Sequence, residues 1–350
     1  MTRVWLFTAL LLLVGALGGA GALLIGLPLP WMLGSILTTA LLVAMASERF
    51  PAGYAFPMWV RMIFIAVIGA MIGAQVDADL IQQWRSMLAS LTGVAVFVLA
   101  AHGMNYWLFR RIGGYDKATA FYCGTPGGLM ESLAMGEEAG ADLRVLTIQQ
   151  FLRIILVVSL VPLGLSLMHG SALGSAAGLS FVDGVPTLRS IPVLLVVAAV
   201  GLVVGHVLRL PAGQLTGPLI VSAVAGVTGL IELSPPGWVI GMAQVVIGVS
   251  LGIRFVGITG AMLRRGLWLS LLSVGAMMAM AVALAVLLHT LTGQSIEVLV
   301  LSFAPGGVTE MGLVALSLAA NPAMVAFHHL FRITLTVLGM AVVGRRLLRK

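Results

Sequence analysis

Apolar runs, each about as long as the hydrocarbon core of a bilayer is thick, follow one another from end to end of this chain. A helix needs about 20 consecutive apolar residues to cross that core. Ten stretches meet this description, at about 5–25, 28–46, 57–76, 86–109, 145–168, 190–208, 213–231, 236–253, 267–288 and 323–344. Only 9% of the 350 residues are charged, against about 25% in a soluble domain, so water is not the main solvent. The 43 glycines suit the same setting, because small residues let membrane helices approach closely. No connecting segment is long enough to form a separate soluble domain. The opening MTRVWLFTALLLLVGALGGAGA has the make-up of a signal peptide. A matching span opens the second half of the chain, so the stretch is read as the first span.

The net charge of +7 does not point to nucleic acid, because the basic residues are scattered through short loops. Positive charge between spans is an orientation signal. The single cysteine, Cys123, rules out an intrachain disulfide and any cysteine-based metal cluster.

An internal repeat organises the chain. TPGGLMESLAMGEEAGADLRVLTIQQFLRI begins at Thr125, and APGGVTEMGLVALSLAANPAMVAFHHLFRI begins at Ala304. Without a gap, Pro126 pairs with Pro305, Gly127 with Gly306, Gly128 with Gly307, Glu131 with Glu310, Asp142 with Asn321 and Arg153 with Arg332. The same step pairs Gly69 with Gly248 and Gly73 with Gly252, and a slightly different one pairs Pro28 with Pro211 and Gly34 with Gly217. The domain reading is a first membrane repeat over 1–170, a linker over 171–189 and a second repeat over 190–350.

Each half has four spans, then a segment broken by Pro-Gly-Gly (about 116–140 and 295–319), then a fifth span. Proline removes a backbone donor and glycine weakens a helix, so neither segment is one continuous helix. A helix over 116–124 reaches about 14 Å, half of the core. The segment therefore either crosses as a broken helix or dips in and returns as a re-entrant hairpin.

Charge arbitrates, with the N-terminus taken as cytoplasmic. With re-entry, Arg3, Arg49, Arg110, Arg111, Lys117, Arg144, Arg209, Arg254, Arg264, Arg265, Arg345, Arg346, Arg349 and Lys350 lie inside, and only Arg85 and Arg189 lie outside. With crossing, Arg144, Arg209, Arg254, Arg264 and Arg265 move outside and Arg189 moves in, which blurs the asymmetry. Re-entry is the better reading. Five crossings per half then turn the second half upside down relative to the first. The expected fold class is an all-α polytopic membrane protein of two inverted five-helix repeats, with both termini cytoplasmic. Inverted repeats whose interrupted helices meet near the midplane are a recurrent design of secondary transporters.

The candidate site follows from where polar residues fall inside apolar spans. Arg153 and Arg332 occupy matched positions in the fifth spans, where a charge costs roughly 2.5–3.5 kcal/mol. One turn earlier, on the same face, lie Gln149 and Gln150 in the first half and His328 and His329 in the second. Two readings stand for these faces. They bind an anion through the arginine fork, or each arginine pairs with the glutamate of its own half, Glu131 or Glu310.

The tips themselves, Pro126, Gly127, Gly128, Pro305, Gly306 and Gly307, open short helix arms whose amides attract anions. Glu131 and Glu310 fall in the first turns of those arms, either as caps or as binders of a coupling proton or cation. Thr125, Ser302 and Thr309 add hydroxyls, and Ser132, Met130 and Met311 can line the same space. His328 and His329 lack a third ligand at metal-site spacing, so no metal is expected. Asp142 and Asn321 read as N-caps of the fifth spans. Asp77, Asp79, Glu137 and Glu138 read as solvated.

The duplicated pattern of P-x-x-x-x-x-G, then [TA]-P-G-G-x-x-E, then F-[LF]-R-I resembles the membrane AbrB duplication family, over essentially the whole chain. Members have been labelled regulators or ammonia monooxygenases. The layout of five spans with a hairpin before the fifth also resembles the glutamate and citrate sodium symporters. Those work as dimers with an elevator-like movement, so that resemblance implies the same here. An oxygenase needs a copper or iron site, and no ligand cluster is visible. The expected function is transport of a small organic anion or zwitterion. It is coupled to Na+ or H+, has no other cofactor, and takes place in the bacterial inner membrane as a homodimer. A membrane-embedded sensor of a small molecule is the alternative.

Overall fold

The computed structural model describes residues 2–46, 48, 50–51, 53–76, 84–170, 187–255 and 260–344. Most of the predicted linker, and Asp77 and Asp79, lie outside the described residues. All ten predicted spans are helices: α1 (Thr2–Leu24), α2 (Pro30–Ala46), α3 (Met58–Gly73), α4 (Trp84–Arg111), α7 (Leu143–His169), α8 (Ser190–Val207), α9 (Gly213–Val227), α10 (Trp238–Gly252), α11 (Gly260–Thr292) and α14 (Pro322–Gly339). Between them lie the short pairs α5 (Lys117–Cys123) with α6 (Leu129–Glu138), and α12 (Ile296–Phe303) with α13 (Val308–Ser317), each broken at its Pro-Gly-Gly. A π-helical turn at Met340–Gly344 extends α14.

The chain is an all-α polytopic membrane protein. Among the described residues, six helices are long and apolar enough to cross a membrane: Val4–Leu24, Arg85–Arg111, Leu143–His169, Ser190–Val207, Arg264–Thr292 and Pro322–Gly344. The other four predicted spans are shorter than expected. α2 has 17 residues, α3 has 16, and α9 and α10 have 15 each. At 1.5 Å per residue, 15 residues reach about 22 Å. The short helices are the second and third spans of both halves, so the shortening is itself repeated. Leu6, Leu17, Leu99, Val196 and Leu287 are exposed; water would oppose such a surface, whereas hydrocarbon accepts it.

Two compact units divide the chain without following its tandem order. One comprises Met1–Ala78, Ser159–Ile258 and Gly312–Ala323; the other comprises Asp79–Val158, Thr259–Met311 and Met324–Lys350. In the first unit, helices meet through glycines. A Cβ added to Gly34 would lie 2.2 Å from the Gly18 carbonyl oxygen, and one added to Gly217 would lie 2.0 Å from that of Gly201. α3 meets α9 at Gly69 and Gly73, whose added Cβ atoms would lie 2.3 Å from Leu215 O and 2.2 Å from Leu219 O. α10 meets α2 at Gly248 and Gly252, 2.8 Å from Met32 O and 2.9 Å from Ile36 O. Met32 and Ile36 precede Leu215 and Leu219 by the step that separates Pro28 from Pro211. The same contact is therefore made twice, with the roles of the halves exchanged.

In the second unit, α5 and α6 fold back on each other. A Cβ on Gly136 of α6 would sit 3.4 Å from the Tyr122 ring of α5, and the Asp142 amide donates to Thr119 Oγ1 at 2.8 Å. The second pair closes likewise: Gln294, just before α12, reaches the Met324 sulfur in the first turn of α14 at 3.8 Å. Matched N-caps start the pairs. Asp116 accepts from the Thr119 amide and Ser295 from the Val298 amide, satisfying donors that a helix start leaves open.

Candidate functional site

Proline sets the site's local chemistry. In an α-helix the carbonyl of residue i bonds to the amide of residue i+4. The partner for Tyr122 O is then residue 126, and for Leu301 O residue 305. Both are prolines with no N–H to give. A fifth-span side chain supplies the missing donor in each half: Gln150 Nε2 donates to Tyr122 O at 2.8 Å, and His329 Nε2 meets Leu301 O at 2.8 Å. Gln150 also donates to Thr125 Oγ1 at 2.9 Å.

One turn further along each fifth span, an arginine holds the next part of the tip. Arg153 Nη1 donates to the carbonyl of Thr125, and Arg332 Nη1 to that of Ala304, the residues just before the two prolines. Arg332 Nη2 also donates to Gly306 O, and to His329 Nδ1 at 2.8 Å. Arg153 and Arg332 are both buried, and among the described residues the Nε of each has no hydrogen-bond partner. Arg332 Nε faces the other tip: a Cβ added to Gly127 would lie 3.4 Å from it. Among the described residues, the guanidiniums bond to main-chain carbonyls and to His329. The glutamates curl back toward the tip glycines; Glu131 Oε2 would lie 3.3 Å from a Cβ on Gly128, and Glu310 Oε2 2.0 Å from one on Gly307.

A family model described as "Transition state regulatory protein AbrB" matches residues 39–348. The chain belongs to the AbrB family. It is 26% identical over 349 residues to the "Uncharacterized protein YhjN" of Bacillus subtilis (strain 168), covering 93% of this chain and 88% of that one. It is 25% identical over 260 residues to the "Putative regulator AbrB" of Escherichia coli (strain K12), covering 74% of each.

All seventeen candidate residues of this AbrB-family chain fall in the second unit. Thr125, Pro126, Gly127, Gly128, Gln149, Gln150, Ser302, Pro305, Gly306, Thr309, Glu310, His328 and His329 are buried with the arginines, while Glu131 and Gly307 are partly covered. Thr125 Oγ1 and Ser132 Oγ lie 2.8 Å apart, and Ser302 Oγ is buried without a partner. Met311 packs on Gly306, whereas Met130 is exposed and lines nothing with the others. Glu137 and Glu138 are exposed as expected. Asp142 caps α7, accepting from the amides of Arg144 and Val145.

Two serines escaped the sequence reading. Ser270 Oγ donates to Gln149 Oε1 at 2.5 Å, and Ser90 Oγ lies 2.7 Å from His328 Nε2. Each comes from the fourth span of the opposite half, so the arrangement again exchanges the halves. The signal was available: the two serines are separated by nearly the step of the Pro-Gly-Gly repeat. Beside Gln149 opens a pocket of about 130 Å3 lined by Tyr115, Val145, Ile148, Gln149, Arg265 and Gly266. Burial pushes the Tyr115 hydroxyl above its ordinary range against a hydrogen bond from Gln149. Burial also pushes Asp116 upward, but hydrogen bonds from Thr119 and nearby amides outweigh it and hold that carboxyl low. Among the described residues, no three His, Cys, Asp or Glu side chains are grouped to hold a metal ion.

Proposed function

We propose that this protein is a secondary transporter of a small organic anion or zwitterion, coupled to Na+ or H+. The observation that carries the reading is the pair of buried arginines, one per half. Each is anchored on the carbonyl before a Pro-Gly-Gly and keeps an unpartnered Nε. Two cationic groups in a low-dielectric setting attract an anion far more strongly than in water, and an arginine fork matches a carboxylate.

The topology belongs to the same proposal: ten spans in inverted halves, both termini cytoplasmic, in a bacterial inner membrane. The crosswise contacts Gln149–Ser270 and His328–Ser90, with the exchanged glycine contacts of α2, α3, α9 and α10, support a two-fold relation between the halves. The closure of α5 onto α6 supports re-entry rather than crossing. One compact unit owns every candidate residue, which supports an elevator-like movement of that unit, in a homodimer. No nucleic acid is involved.

The test is charge movement in proteoliposomes on a solid-supported membrane, challenged with carboxylates and amino acids with and without sodium and pH gradients. Wild type gives a substrate-dependent current that Arg332→Ala abolishes. A second reading, a membrane-embedded sensor or regulator, is favoured by the name of the Escherichia coli relative and by the family's description. Folded protein that binds a carboxylate yet carries no current would select it.

A further inference from the structure

Gln150 and His329 do the same repair at matched positions, but they are not chemically equivalent. The difference falls on one nitrogen. Leu301 O is a carbonyl and only accepts, so the proton of His329 sits on Nε2. Arginine only donates, so Nδ1 must carry a lone pair to receive Arg332 Nη2 at 2.8 Å. The two bonds together fix a neutral imidazole in one tautomer, fully enclosed by protein. The first half differs: Gln150 Oε1 is buried and has no hydrogen-bond partner among the described residues.

Consider the arrival of a proton. It can only take the Nδ1 lone pair, which turns that atom into a donor facing another donor. The Arg332–His329 bond then breaks and two positive charges adjoin. The surroundings make this worse, since the Arg332 guanidinium lies 2.8 Å from that nitrogen and His328 is the adjacent residue of the same helix. Arg153 of α7 holds the Thr125 carbonyl of the first tip, whose Gly127 stands against Arg332 Nε. The acidic side chains that follow the two tips, Glu131 and Glu310, lie against Gly128 and Gly307. A carboxylate placed against Arg332 reverses the balance: it accepts from the freed Nη2, from the unpartnered Nε or from the new Nδ1–H, and cancels one positive charge.

We propose that His329 is the coupling-proton site, and that a small carboxylate and one proton bind the Arg332–His329 pair together. This rests on the transporter reading above and identifies its coupling ion. The step balances: one proton from water adds to Nδ1, one Arg–His hydrogen bond breaks, and the bound carboxylate takes over both donors. By linkage the coupling is reciprocal, so the proton tightens the carboxylate as much as the carboxylate tightens the proton.

The experiment uses full-length protein labelled with 15N-histidine in lipid, with acetate, lactate, succinate and citrate as probes, between about pH 5 and pH 8. His329→Gln identifies the signal and serves as the non-titrating variant, since Gln150 makes the matched bond in the same chain. Without a probe, His329 should be neutral with its proton on Nε2. With at least one probe it should become imidazolium at a pH where it was neutral before. Above the imidazole pKa, probe affinity should weaken about tenfold per pH unit in wild type, and whatever affinity His329→Gln keeps should not vary with pH.

A proton on Nδ1 in the free protein, or a His329 titration unmoved by every probe, overturns the proposal. So does a wild-type pH slope in His329→Gln. If that variant does not fold, the tautomer and the probe-linked protonation of wild type decide. A carboxylate current lost in Arg332→Ala but with an unchanged pH slope in His329→Gln overturns the proton site and leaves the transport reading standing. Proton-linked binding without current does the reverse.

Discussion

Gly127 and Gly128 are neighbours in the first tip with opposite tolerances. Gly128 has φ +64°, a left-handed conformation that costs an L-residue roughly 1–2 kcal/mol. A Cβ on Gly127 meets only ordinary contacts, 3.4 Å from Arg332 Nε, 3.6 Å from Thr336 Oγ1 and 3.8 Å from Ile333. That methyl would stand against the Nε of Arg332, where a bound carboxylate would accept. Gly127→Ala should therefore unfold at nearly the wild-type temperature while losing carboxylate affinity about tenfold or more, the size of one charge-assisted hydrogen bond. Gly128→Ala should lower the unfolding temperature. Thermal unfolding and probe titration on both variants check this, and equal losses of affinity would remove the anion from that nitrogen. The spacing of Gln149, Gln150 and Arg153, and of His328, His329 and Arg332, was enough to place each triplet on one helix face. It did not reveal that the arginines hold the carbonyls of Thr125 and Ala304, because which side chain meets a carbonyl at a helix break is chosen by the packing of a distant helix.

Helix contacts in the first unit depend on main-chain approach. The Cβ of Gly217→Ala would sit 2.0 Å from Gly201 O, a backbone atom that cannot rotate aside. We expect overpacking to cost about 1–3 kcal/mol, read as a lower unfolding temperature in one detergent. Gly275, in the middle of α11, has nothing within 4 Å of an added Cβ. Gly275→Ala should leave stability unchanged or raise it, by up to about 1 kcal/mol of helix propensity. If the two substitutions act alike, the close approach of α8 and α9 is not what holds that pair. Helix positions were legible from apolar run length, and the breaks from Pro-Gly-Gly. The short extents of α2, α3, α9 and α10 were not, because hydropathy measures composition and runs on into apolar loop residues. Left-handed backbone at Leu29 and Ala212, each just after the matched proline, marks where two of these helices are set by turns that hydropathy does not see.

For the molecule as a whole, the charge asymmetry makes a direct topological prediction. In a Cys123→Ser background, Lys117→Cys at the start of the first hairpin should label only from the cytoplasmic side. Thr290→Cys, ahead of the second hairpin, should label only from outside. Labelling of both from one side would refute the inverted arrangement. Cys123 is the single cysteine of the sequence, so in that background each introduced thiol is the only one to label.

By itself the sequence determined the solvent, the places of the ten apolar helices and the two breaks. Those depend on composition and on properties local to a few residues: run length, a proline without N–H, a glycine without Cβ. Only the tertiary structure decided which carbonyls the arginines hold, that Ser90 and Ser270 reach across from the opposite halves, and that His329 is locked in one tautomer. These are non-local, because a hydrogen-bond partner is chosen by packing between residues far apart in the chain. No spacing along one helix reports which backbone group the neighbouring element has left without a partner.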